Sequence, residues 1–233
     1  MTKGGSVCLN TIVKDESAIV ERMIDSVAPH VDYYVVCDTG STDDTVERVR
    51  GRFFDHGVDG EIHSIPFIDF AQARNAALDH ARASKREFSY FLLADADMEL
   101  VVDQPDFAAS LSRPAYSAKM QCGTLGYYNT RLIHRDSGAT YIGATHEYLA
   151  VKSLERVTGV RFIHHADGSS RKEKVERDLK LLLEMLEKDP DDSRAMFYMA
   201  RTLHDAERYQ EAAAWYEMRT RAGGSPEERW YAR

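Results

Sequence analysis

The sequence predicts an α/β protein built on a mainly parallel sheet and followed by a helical extension. Short apolar runs alternate with amphipathic segments through the first half of the chain, the runs have the length of buried strands, and beyond Gly168 the pattern is helical. Strands separated by helices in this way pair in parallel through right-handed crossovers. Ligands then gather beyond the carboxyl ends of the strands.

Ser6–Val13, rich in Val, Ile, Leu and Thr, reads as the first strand. Asp15–Val27 reads as a helix, because Ile19, Met23 and Val27 recur on one face. Tyr33–Cys37 is long enough for a buried strand and too short for a helix. It ends in Asp38-Thr39-Gly40-Ser41-Thr42, a turn that also offers a cap to the helix expected over Thr45–Phe54. Glu61–Ile65 is a short strand, Phe70–Ala83 a helix, and Phe88–Ala94 a third apolar strand running into Asp95-Ala96-Asp97. Shorter strands are expected at Ala115–Met120, Thr130–His134, Thr140–Ile142 and Val160–His165, separated by Gly, Asn and Asp-Ser-Gly turns.

Val175, Leu179, Leu182 and Leu186 then step along one helix face, which Pro190 stops. Ser193–Gly223 reads as two amphipathic helices with Ala at contact positions and resembles a tetratricopeptide repeat. Ser225-Pro226-Glu227-Glu228 opens a further helix, with a capping Ser and Pro at the first helical position. A single repeat does not normally stand alone, so it is expected to dock on the first domain, in a chain cut from a longer one. The expected division is residues 1–168 and 169–233.

Composition narrows the function. The 233 residues are 43% hydrophobic and 29% charged, which excludes a collagenous or wholly disordered chain. A net charge of −8 argues against gripping nucleic acid by bulk charge. Cys8, Cys37 and Cys122 form no CxxC pair and read as free thiols in a reducing compartment. The first residues lack a signal-peptide pattern and no apolar run approaches membrane length, so the expectation is cytoplasmic, with any membrane link peripheral.

Two strands end in acidic turns, at Asp38 and at Asp95/Asp97. On an extended backbone Asp95 and Asp97 point the same way and can reach one hard cation that keeps places for phosphate oxygens. A turn with solvated acids is the plain alternative. Asp38 can accept hydrogen bonds from a base or ribose, with Gly40 permitting the tight turn. Capping by Ser41 or Thr42, with Asp43 and Asp44 facing the helix dipole, is compatible with that role. Tyr127, Tyr128 and Tyr141 offer aromatic faces for an acceptor groove, although paired Tyr residues more often serve packing. There is no Walker loop, nucleophile elbow or zinc spacing.

In combination the motifs are more specific. The first strand running into Lys14-Asp15-Glu16, then VVCDTGSTDDT, FAQARNAAL, FLLADADM, NTRLIHRDSGATYIGATHEYL and RFIHHADG, resembles family 2 of the glycosyltransferases across nearly the whole chain. It looks like the subgroup in which tetratricopeptide helices follow the transferase domain. The resemblance implies the Rossmann-like, A-type nucleotide-diphospho-sugar transferase fold with a C-terminal helical hairpin. It also implies a metal-dependent enzyme that moves a hexose from a UDP-sugar to an acceptor nucleophile with inversion, the acceptor being a protein, peptide, glycan or lipid.

Carried over residue by residue, the resemblance puts Thr11, Val13 and Glu16 at the nucleotide pocket and Asp38 on the uracil. Asp69, Arg74 and Asn75 flank the nucleotide, with Arg74 offsetting diphosphate charge. Asp95 and Asp97 hold the metal and the ribose–diphosphate, and His165 completes the coordination, with His164 one residue away as the alternative. Imidazole beside carboxylates leans the site toward Mn2+, with Mg2+ second. Glu147 is the expected general base and His146 its alternative, in an HE pattern where the family commonly has ED. The rival readings are a scaffold whose helical repeat binds peptide beside a non-catalytic sugar-nucleotide pocket, and a sugar-1-phosphate nucleotidyltransferase. Asn10–Glu16 is not the Gly-rich loop the latter needs. A homo-oligomer through the helical extension is also expected.

Overall fold

The computed structural model describes residues 5–168 and 171–232. They form two compact units: 5–68, 72–142 and 149–168 in one, and 69–71, 143–148 and 171–232 in the other.

In the first unit β1 (Val7–Val13), β2 (Tyr33–Asp38), β3 (Gly60–Ser64) and β4 (Tyr90–Leu93) pair in parallel in the order β3-β2-β1-β4. The crossovers carry α1 (Val20–Val27), α2 (Thr45–Asp55) and α3 (Phe70–Ala83). Alternation sorts the strand side chains between two faces. Val7, Leu9, Tyr34, Val36 and Leu92 pack with Met23, Ile24 and Val27 of α1 and Val49 and Phe53 of α2. Cys8, Val35, Phe91 and Leu93 pack with Leu78 and Ala81 of α3. Burial on both faces is why these strands read as continuous apolar runs. Each fully covered Leu or Phe contributes about 1.5–3 kcal/mol of transfer free energy.

The rest of the sheet is mixed. β5 (Met98–Val102), β6 (Ala115–Cys122) and β7 (Leu125–His134) are followed by a separate pair, β8 (Thr140–Ile142) with β9 (Tyr148–Ala150), and then by β10 (Glu155–His164). The large sheet continues β4-β7-β6-β10-β5, antiparallel except where β10 runs parallel to β6. β5, absent from the sequence reading, is short and flanked by acids, and it is a strand because Leu100 pairs with Phe162 of β10. The helix expected from Asp15 begins only at Val20. Asp15 takes a left-handed φ of 53°, and its carboxylate accepts the backbone N–H of Thr42 at 2.6 Å. A contact to the next loop therefore overrides local helix propensity.

The second unit holds α4 (Arg171–Lys188), α5 (Ser193–Asp205), α6 (Tyr209–Arg221) and α7 (Pro226–Tyr231). Leu179, Leu182, Leu186, Met196, Met199 and Leu203 form its core with Ala195 and Ala212. Asp192 caps α5 by accepting from the N–H groups of Arg194 and Ala195, and Ser225 caps α7 as its sequence implies. Among the described residues no helix is long and apolar enough to cross a membrane.

Candidate active site

Parallel strands bring their carboxyl ends to one edge of the sheet, and the loops leaving β1, β2 and β4 all depart from that edge in the first unit. The first two loops are laced together. Asp15 N–H donates to Ser41 Oγ at 3.0 Å, Glu16 N–H to Thr45 Oγ1 at 2.8 Å and Ser17 N–H to Asp43 at 3.2 Å. Thr39 N–H donates to the Val13 carbonyl at 3.0 Å. The buried Asp38 carboxylate accepts the N–H groups of Gly40 and Ser41, holding its own turn. Thr11 and Val13 are buried in β1.

Asp95 and Asp97 occupy the turn between β4 and β5, not an extended strand, and each has its own partners. Asp95 Oδ1 lies 2.7 Å from Arg74 of α3, and its Oδ2 3.4 Å from Arg131 of β7. Burial alone would push the Asp95 carboxyl up, but the two guanidinium groups outweigh it and bring it down to about 2. Asp97 instead accepts from His164 Nε2 at 3.0 Å, an ion pair that raises the His164 pKa. His165 faces Glu99 at 3.0 Å. The expectation that both acids point one way thus gives way to a split, because the chain turns at Ala96.

Glu16 stands beside this group. A Cβ on Gly168 would come within 3.4 Å of Glu16 Oε1 and 3.9 Å of Asp97 Cβ, so both acids border that glycine. Burial first, and then Asp97, Asp167, Asp43 and Asp95, push the Glu16 carboxyl up to about 7. Arg22 neutralises Asp167 through a two-pronged pair at 2.7 and 2.8 Å. What remains is a carboxylate–imidazole pair in a field rich in negative charge. Such oxygen and nitrogen donors fit a divalent ion that completes its sphere with water or ligand oxygens. Among the described residues, no group of three His, Cys, Asp or Glu is preassembled around one point.

The other residues singled out from the sequence fall differently. Asn75 pins β8 with both ends of its amide, donating to the Tyr141 carbonyl at 2.9 Å and accepting the Tyr141 N–H at 2.8 Å. Asp69, His146 and Glu147 belong to the helical unit. There Ala144 accepts the Phe70 N–H at 2.9 Å. The His146 ring lies flat on Tyr198, with centroids 4.3 Å apart and planes 9° from parallel. The residue as a whole is exposed, yet desolvation of the covered ring holds its pKa below the ordinary 6.5 against the pull of Asp178 and Glu147. Its contribution to stability is therefore present above pH 6.5 and lost as the pH falls through the depressed value. In an NMR titration the His146 Cε1 proton should have its midpoint below 6.5, and a midpoint above 6.5 would refute this.

Arg131 is the site residue that sequence reasoning missed. Its signal was a charge inside the apolar strand pattern of Thr130–His134, and its side chain is only 9% exposed. Two surface hollows lie away from the acids: one of about 360 Å³ beside Tyr128 and Arg156 in the first unit, the other of about 680 Å³ beside Tyr216 and Tyr231 in the helical unit. Neither is lined by any of the acid or base candidates.

Known proteins resemble this chain in sequence and in fold. The SPbeta prophage-derived glycosyltransferase SunS of Bacillus subtilis (strain 168) and glycosyltransferase SunS of Bacillus phage SPbeta are each 26% identical over 225 residues, 89% of this chain and 51% of theirs. The chain thus spans about half the length of these curated relatives. Among solved structures, S. aureus TarS 1-349 in complex with UDP superposes with a TM-score of 0.53 at 13% identity, covering 85% of this chain and 70% of that one. The same fragment in complex with UDP-GlcNAc gives 0.51 at 12%, covering 85% and 71%. The architecture is the A-type glycosyltransferase fold. The model of "Glycosyl transferase family 2" matches residues 8–153, from the first strand past the turn that carries Asp95 and Asp97, and by that match the chain belongs to family 2 of the glycosyltransferases.

Proposed function

We propose that the chain is a glycosyltransferase that moves a hexose from a UDP-sugar to an acceptor nucleophile with inversion, aided by a divalent metal. The observation that carries this reading is the division of the acidic triplet: Asp95 clamped between Arg74 and Arg131, Asp97 facing His164 with Glu16 close by. The TarS structures, which hold UDP and UDP-GlcNAc on this fold, support a uridine diphosphate donor.

Each residue has a chemical task in this reading. Asp38, at the end of β2, receives the base. Asp97 and His164 would hold Mn2+ or, less well, Mg2+, and such an ion would supply positive charge against the diphosphate of the leaving nucleotide. Arg74 and Arg131 keep Asp95 ionised beside the nucleotide. Glu147 takes the proton from the acceptor as it attacks the anomeric carbon. Three free thiols among the described residues fit a reducing, cytoplasmic setting, and the helical unit fits a tetratricopeptide-like extension.

Incubation with a panel of UDP-sugars and Mn2+, monitoring UDP release through slow hydrolysis, tests the activity and selects the donor. No release from any donor would favour a binding scaffold. With the donor known, Glu147→Gln should leave its affinity within about twofold while turnover falls about 10²–10⁴-fold. Unchanged turnover would reject Glu147 as the base.

A further inference from the structure

We propose that Arg194 and Tyr198 of α5 are positioning residues for Glu147. The inference rests on the reading of Glu147 as the general base.

The loop that carries Glu147 does not hold its shape alone. Gly143 has a φ of 102° and His146 a φ of 49°, the latter in the left-handed region that a residue with a Cβ disfavours. A backbone in that state persists only when its surroundings determine it. Here they come from α5. Arg194 Nη2 donates to the His146 carbonyl at 3.0 Å, and the His146 ring lies on Tyr198. Thr202 Oγ1 approaches His146 Nε2 at 3.5 Å. Arg194, Tyr198 and Thr202 are spaced four apart, so one stripe of the helix faces the loop.

The other side of Glu147 is held by the same arginine. The Arg194 guanidinium lies 5.0 Å from the Tyr148 ring centroid and 4.7 Å from that of Tyr198. It is itself anchored on Glu228 at 3.3 Å. Both neighbours of Glu147 are therefore fixed by two side chains of one helix. An arginine donating to a backbone carbonyl sets a direction, which apolar packing would not. A general base must meet its proton within hydrogen-bond reach, and displacement by about 1 Å costs on the order of 10²-fold in rate.

The test is steady-state kinetics of the full chain with the donor that the panel selects, alongside melting curves and calorimetry with UDP. Tyr198→Leu and Arg194→Lys should each lower kcat by about 10–100-fold, with donor KM and UDP affinity within about twofold of wild type. Tyr198→Phe, which keeps the ring and loses only the hydroxyl that accepts from Arg194 Nη2 at 3.2 Å, should recover most of the kcat lost in Tyr198→Leu. Adding Glu147→Gln to Tyr198→Leu should cost far less than it does alone, because both act at one point. If Tyr198→Leu melts below the assay temperature, Arg194→Lys decides. Wild-type kcat in a folded variant, or a rise in donor KM that matches the fall in kcat, overturns the inference. Normal turnover of Glu147→Gln alone would instead overturn the assignment of the base.

Discussion

Asp97→Ala is expected to lower UDP-sugar turnover by about 10²–10³-fold while leaving the melting temperature close to that of the wild type. The Asp97 carboxylate meets His164 at a partly exposed position, and it is the first of the charges that push Glu16 up. Removing it relieves repulsion, so the fold has little to lose. Calorimetry with UDP gives a readout independent of turnover: Mn2+ should strengthen UDP binding to the wild type and not to the variant. Equal, metal-independent binding to both proteins would remove the metal from the proposal. Asp95→Ala, in contrast, should also lower the melting temperature. It leaves Arg74 and the nearly buried Arg131 without their shared carboxylate, and loss of such charged hydrogen bonds costs about 1.5–3 kcal/mol of stability.

Arg219→Leu is expected to cost about 3–5 kcal/mol, the usual penalty for removing one partner of a buried ion pair. Arg219 is fully buried and serves three acceptors: the carbonyls of Gly223 and Ser225 at 2.9 and 3.0 Å, and Glu228 at 3.1 Å. It thereby closes the turn between α6 and α7. Leucine fills part of the space but leaves the carbonyls and Glu228 without that donor. A loss of this size is a large part of a typical domain stability of about 5–15 kcal/mol. Urea unfolding of the full chain, followed by circular dichroism, should show an earlier helical transition. Arg219→Leu combined with Glu228→Leu should recover part of the loss, because the carboxylate that then has Arg194 as its remaining partner is removed as well. The recovery is incomplete, since Glu228 also anchors Arg194. An unchanged midpoint in Arg219→Leu would contradict the account.

The sheet and its acids differed in how far they could be read from residues alone. β1, β2 and β4 were legible because burial on both faces writes a continuous apolar run. The acids after β2 and β4 were legible because parallel strands put their carboxyl ends on one edge. β5 was not, since its strand character comes from pairing with β10 rather than from its own composition. The start of α1 was displaced for a related reason, the contact of Asp15 with Thr42 in the next loop.

By itself, then, the sequence determined the alternating α/β layout, the helices beyond Gly168 with the Ser225 cap, and the set of carboxylates available at the strand ends. Local periodicity and turn chemistry are properties of neighbouring residues, and they survive without knowledge of the fold. Only the tertiary structure decided that Arg74 and Arg131 claim Asp95, that His164 rather than His165 faces Asp97, and that Arg194 and Tyr198 hold the loop of Glu147. Those partners lie far apart along the chain. Which charge neutralises which is settled by distance and desolvation, and neither is written in sequence order.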